Sequence, residues 1–122
     1  MTDIQRHHTN ARMSKIVVHR GVAYLCGQTA KGSESAAGDI SAQTREVLSR
    51  IDGLLAEVGS DRTRLLSATI YLRDMADFAG MNIVWEAWLA QMQAGAPARA
   101  TVQAAIATDG LRIEIVLAAA TD

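Results

Sequence analysis

No excess of positive charge marks this sequence: 12 lysines and arginines stand against 13 acidic side chains, for a net charge of −1, and the basic residues form no cluster. The electrostatic footprint of a nucleic-acid binder is missing, so neither RNA nor DNA is expected as a main partner. Cysteine is nearly absent; the single Cys26 excludes an intramolecular disulfide and suits a reducing compartment. No stretch approaches the roughly 18 consecutive apolar residues of a membrane span, and the opening MTDIQRHHTNARMSK lacks the apolar segment of a secretory signal. A cytoplasmic location without membrane contact is the resulting expectation. His7 and His8 are adjacent and His19 stands apart, none at a convincing metal-ligand spacing with a cysteine or carboxylate, so no metal is expected. Cys26 has no visible histidine partner and reads as a small buried side chain rather than a nucleophile. Gly27-Gln28 lacks the strand-to-helix glycine pattern of a phosphate cradle.

What is present is the composition of a folded protein, 49% hydrophobic and 20% charged over 122 residues, enough for one domain with its own core. A single domain over 1–122 is expected, with 1–12 a flexible N-terminal segment. Ile16 to His19 and Val22 to Cys26 read as strands separated by His19-Arg-Gly21. Thr29 to Gly38, TAKGSESAAG, reads as a mobile polar loop. From Asp39 the period changes: Ile40, Thr44, Val47, Leu48, Ile51, Leu54, Leu55 and Val58 share one helical face, Asp39 or Ser41 caps the start and Gly59 the end. Leu65 to Leu72 reads as a central strand. A second helix spans about Asp77 to Met92, with Phe78, Met81, Trp85, Trp88, Leu89 and Met92 as its buried stripe, the tryptophans serving the core. Asn82 on this helix reads as structural. Ala98 to Ala107 and Leu111 to Ala119 read as two strands joined by an Asp-Gly hairpin at Asp109-Gly110. The order ββαβαββ gives five strands, six if the Thr29 to Gly38 loop adds a short one.

Two helices can cover only one face of such a sheet. The other face, small and weakly polar, calls for a second copy of the chain in a closed homo-oligomer. In the expected hairpin Ala105 faces Glu114 and Arg99 faces Ala120, so Arg99, Thr101, Gln103 and Glu114 share a sheet face while Arg99 and Glu114 lie roughly 20 Å apart along it. Either their roles are unrelated or Arg99 of one subunit meets Glu114 of the next. Arginine among small residues suits bidentate recognition of a carboxylate; a glutamate desolvated by a neighbouring subunit suits proton exchange with a water. An intersubunit salt bridge between them, or solvation at the sheet rim, accounts for the same residues without chemistry.

Several segments in order, from about residue 13 to 119, resemble the RidA/YjgF family of reactive-intermediate deaminases: Tyr24-Leu-Cys-Gly-Gln28, the Gln43…Val47…Ile51…Leu55 helix ending at Gly59, Ala68-Thr-Ile-Tyr-Leu72, Asp77-Phe-Ala79 with Asn82, Pro97-Ala-Arg99 and Ile113-Glu-Ile115. The resemblance implies an α+β, chorismate-mutase-like fold: a mixed sheet of five to six strands with two helices on one face, assembled as a homotrimer with ligand clefts between subunits. It implies hydrolysis of small carboxylate-bearing enamines and imines, such as 2-aminoacrylate, to 2-keto acids and ammonia, without metal or cofactor. Arg99 resembles the family's carboxylate-binding arginine, Glu114 its water-orienting glutamate, and Gly27 a glycine whose backbone contacts the ligand. Thr101 stands where many members carry cysteine and retains only the backbone amide for a ligand. Met13 stands where active deaminases commonly carry tyrosine, and Cys26 replaces the usual serine before Gly-Gln. These departures mark a divergent subgroup and imply a bulkier or more apolar substrate, or a non-catalytic module that binds keto acids on the same fold.

Overall fold

The computed structural model describes residues 3–122; residues 1 and 2 of the segment expected to be flexible lie outside it. Six strands form one mixed sheet in the spatial order β1-β2-β3-β6-β4-β5: β1 Gln5–Thr9, β2 Ser14–His19, β3 Val22–Gln28, β4 Leu65–Leu72, β5 Ala98–Gln103 and β6 Ile113–Ala120. Two helices, α1 Ile40–Glu57 and α2 Phe78–Ala90, complete the α+β architecture.

Helix α1 is built as its sequence pattern predicts. Asp39 Oδ1 accepts from the Ala42 amide at 2.9 Å, capping the first turn. At the other end the Ser60 amide donates to Leu55 O (2.9 Å) and the Gly59 amide to Ala56 O (3.2 Å), with Gly59 at φ 74°. That is the Schellman pattern, and its left-handed residue is glycine. Ile40, Val47, Leu48, Ile51, Leu54 and Leu55 bury against the sheet and against Met81, Trp85, Trp88 and Leu89 of α2. In α2 the expected stripe fails at both ends, because Phe78 and Met92 remain 40% and 45% exposed.

The sixth strand comes from the N-terminus. Gln5–Thr9 pairs antiparallel with β2, and His8 Nε2 lies 2.6 Å from Glu57 Oε1 of α1, so the segment expected to be flexible is tied to the sheet and to a helix. The Thr29–Gly38 loop carries no strand but a 3-10 turn at Glu34–Ala37. Buried Ala30, packed with Ile106 and Leu111, and hydrogen bonds from the Gln43 amide to Ala36 O and Gly38 O hold it in place.

The Asp-Gly hairpin is the largest correction. Strands β5 and β6 do not pair: β5 lies parallel to β4 at the sheet edge, reached through α2, and β6 runs antiparallel between β3 and β4. Burial explains the exchange. Ile113, Ile115, Leu117 and Ala119 are all at most 3% exposed, which only a central strand provides, while β5 alternates with Arg99, Thr101 and Gln103 and suits an edge. Gly110 (φ 84°) still makes a turn, with the Leu111 amide facing Thr108 O at 3.4 Å. That turn sits in a loop pinned by Arg73, whose Nε donates to Leu111 O (2.7 Å) and whose Nη2 donates to Ile106 O (2.7 Å) and Thr108 O (2.9 Å). No helix among the described residues is long and apolar enough to cross a membrane.

Candidate functional site

The observed register divides the candidate residues between the two faces of the sheet. Arg99 pairs with Ala68 and Thr101 with Ile70, and Ala68 and Ile70 are buried beneath the helices. Cross-strand partners share a face, so Arg99 and Thr101 lie on the helix side. Glu114 pairs with Tyr71 on the opposite, helix-free side. The expectation that Arg99, Thr101, Gln103 and Glu114 share a face is therefore corrected, because it assumed the hairpin. Arg99 is level with Leu117 through Ala68, three residues along and two strands across from Glu114. Their Cα atoms are thus roughly 14 Å apart, at about 3.3 Å per residue and 4.8 Å per strand. One chain does not bring them together.

On the helix side, the Arg99 guanidinium sits 5.6 Å from the Trp85 ring centroid and 6.0 Å from that of Phe78, cation–π contacts that orient it without neutralising it. It makes no ion pair among the described residues. Around it lies a cleft of about 310 Å³ lined by Asn82, Trp85, Glu86, Leu89, Pro97 and Arg99. Asn82 Oδ1 and Thr101 Oγ1 are buried without a hydrogen-bond partner, an unusual state for buried polar atoms. Asn82, read from sequence as structural, thus joins the candidate site, and Phe78, expected in the core, stands half-exposed beside it. The available signal was spacing: Phe78, Asn82, Trp85 and Leu89 follow one another at three or four residues, the stripe of α2 that meets β5.

On the helix-free side, Glu114 meets β3. There Leu25 pairs with Leu117 and Gln28 with Ile115, so Cys26 and Gly27 together oppose the single residue Val116, a β-bulge. The Cys26 thiol is pushed above its ordinary pKa, chiefly by burial; the Gln28 amide, 3.2 Å from Sγ, and Lys15 oppose the shift, while Glu114 adds to it. A neutral thiol is a poor nucleophile. Met13 is 42% exposed and held in a turn where Asn10 Oδ1 accepts from the Arg12 and Met13 amides at 2.8 and 3.0 Å. Since Ile16 pairs with Leu25, continuing that antiparallel register carries Met13 to the end of β3 that bears Gly27 and Gln28. The six candidate residues therefore fall into two groups, Arg99 and Thr101 on one face and Met13, Cys26, Gly27 and Glu114 on the other. Among the described residues no group of three or more histidines, cysteines or carboxylates could hold a metal ion.

Comparison with known proteins gives a consistent picture. The family described as Endoribonuclease L-PSP matches residues 4–121. A RutC family protein of Haemophilus ducreyi is 38% identical over 117 residues, 96% of each chain, and the RutC family protein YoaB of Escherichia coli K12 is 38% identical over 96% of this chain and 97% of its own. The crystal structure of NMB1025 from Neisseria meningitidis, a member of the YjgF protein family, superposes with a TM-score of 0.86 at 42% identity, covering 98% of this chain and 96% of that one.

Proposed function

Because the chain belongs to the RidA/YjgF family, which includes the RutC proteins, we propose that it is a cytoplasmic homotrimer that hydrolyses small carboxylate-bearing enamines and imines to 2-keto acids and ammonia. Its sites lie in clefts between subunits, where Arg99 and Thr101 of one subunit face Met13, Cys26, Gly27 and Glu114 of the next. The observation that carries this reading is the split itself: among the described residues Arg99 makes no ion pair in its open cleft, and Glu114, on the opposite sheet face, makes no side-chain hydrogen bond.

In the assembled cleft the Arg99 fork donates two parallel hydrogen bonds to the substrate carboxylate, with the Trp85 and Phe78 rings beside it. Asn82 lines the same pocket, and Thr101, two residues along β5 on the same face, offers its backbone amide to the ligand. An enamine takes a proton at its terminal carbon to become the iminium. Glu114 orients a water toward the iminium carbon and accepts its proton as the C–O bond forms. The nitrogen of the tetrahedral carbinolamine then takes up the proton held by Glu114 and leaves as ammonia, while the hydroxyl proton passes to solvent, offsetting the one gained at the enamine carbon, and the carbonyl of the keto acid remains. No electrons change hands, so no redox cofactor is required.

The word endoribonuclease in the family description names another chemistry, and a chain of net charge −1 without a basic cluster gives an RNA backbone little to hold. A second reading, a keto-acid-binding module without turnover, is favoured by Met13, whose thioether offers no hydroxyl to the cleft. The test is ammonia release from enzymatically generated enamines, set beside calorimetric titration with 2-keto acids. Arg99→Ala is expected to abolish release while light scattering still reports a trimer. Full activity in that variant removes the mechanism, and keto-acid binding with no release by the wild type favours the module.

A further inference from the structure

Glycine at position 27 is not dictated by its backbone. Gly21, Gly32, Gly59 and Gly110 are the glycines at positive φ, and Gly27 is not among them, so an L side chain could adopt its conformation. Space is the constraint. A Cβ built on Gly27 would overlap Glu114 Oε2 and fall 2.8 Å from its carboxyl carbon and 3.1 Å from its Cγ. The Glu114 carboxylate occupies the volume that any other residue's first side-chain atom would fill.

The bulge explains how this arises. In an unbroken ladder successive side chains alternate between faces, so one residue of β3 would face the helix-free side opposite Val116. The bulge puts Cys26 and Gly27 there instead. Glu114, two residues before Val116 on the same face of β6, reaches diagonally into this crowded place. Cys26 fills one of the two positions, and the missing side chain of Gly27 leaves room for the carboxylate in the other.

We infer that Gly27 is a positioning residue, whose lack of a Cβ sets where the Glu114 carboxylate stands and hence where that carboxylate holds the attacking water. This deepens the reaction proposed above and rests on it for its kinetic readout. The role is separate from any contact its backbone makes with a ligand. Because the backbone tolerates alanine, Gly27→Ala should fold and assemble while driving the carboxylate from its place, and a displacement of about 1 Å at a reacting group costs on the order of 100-fold in rate.

The test is a cycle of four proteins: wild type, Gly27→Ala, Glu114→Asp and the double variant. Ammonia release is measured in each, with assembly monitored by light scattering. Gly27→Ala is expected to lower kcat about 100-fold with KM changed less than threefold. Aspartate withdraws the carboxylate by one methylene, so Glu114→Asp should impair the wild type yet raise kcat about tenfold when added to Gly27→Ala. That rescue is what a general loss of packing would not produce. Full activity in Gly27→Ala, or a double variant no faster than Gly27→Ala alone, overturns the inference. If the wild type itself releases no ammonia, the deaminase reading fails, and a crystal structure of Gly27→Ala still decides the positional claim: a rotated Glu114 carboxylate supports it and an unmoved one refutes it.

Discussion

At the scale of single residues, the two proposed half-sites differ in how their charges are held. Arg99 is oriented by π-faces rather than by carboxylates, so its full hydrogen-bonding capacity stays available to a ligand. Arg62 shows the opposite arrangement: it also lies over a tryptophan ring, 4.8 Å from the Trp88 centroid, but its donors are taken by Asp52, Trp88 O and Gln91, and it serves the fold. Trp85→Ala should therefore weaken keto-acid binding about tenfold by freeing the Arg99 side chain, with more damage to KM than to kcat, as steady-state kinetics and calorimetry would report; unchanged KM would assign the ring to packing alone. Cys26 is expected to behave as a neutral thiol. Its pKa is raised in the folded state, so whatever stability it contributes is present below the ordinary thiol pKa of about 8.5 and is lost as pH rises through the higher folded value. Cys26→Ser should leave the pH dependence of ammonia release between pH 6 and 8 unaltered and flatten the alkaline fall in Tm, both accessible by kinetics and thermal melts.

Elements show which parts of the structure were legible and why. Helix α1 follows directly from period and caps, since those signals are local: Asp39 and Gly59 sit where the helix-end rules require them, while α2 and β4 follow from period alone, and α2, without a side-chain cap at its start, is shorter than expected. Strand order was not legible. Asp109-Gly110 makes a turn, as its sequence says, yet its flanks go to different neighbours because the burial of Ile113, Ile115, Leu117 and Ala119 is satisfied only between β3 and β4. The placement of Arg99 and Glu114 on opposite faces followed from that order and was out of reach of alternation alone. Equally hidden were the long-range anchors of the loops. Gln43, fully buried, donates to Ala36 O, Gly38 O and Gly110 O and accepts from the Arg112 amide at 2.8 Å, stapling two loops that are remote in sequence. Gln43→Ala leaves these backbone groups without partners and should cost about 2–3 kcal/mol, read as a lowered denaturation midpoint at fixed protein concentration; a change below about 0.5 kcal/mol would mean that water replaces the amide.

For the whole molecule, the uncovered sheet face is the decisive feature. Tyr24 (52% exposed), Val102 (42%) and Val116 (36%) stand on it among Ala98, Ala100 and Ala118, and in the proposed trimer this is the face that packs against the neighbouring subunits. A charge there should be far more damaging than on the outer helices. Val116→Asp is expected to yield species smaller than a trimer by light scattering and to lose ammonia release together with assembly, because the proposed cleft draws its residues from two subunits; an active monomer would separate function from assembly.

The most direct measurement of the shared site is subunit complementation. Arg99→Ala and Glu114→Gln proteins, each inactive alone, are mixed in equal amounts, dissociated and reassembled. If a site takes its arginine from one subunit and its glutamate from the next, random reassembly restores about one quarter of the clefts, and ammonia release should return to about that fraction of wild type. A reassembled mixture as inactive as its two parents would contradict the account.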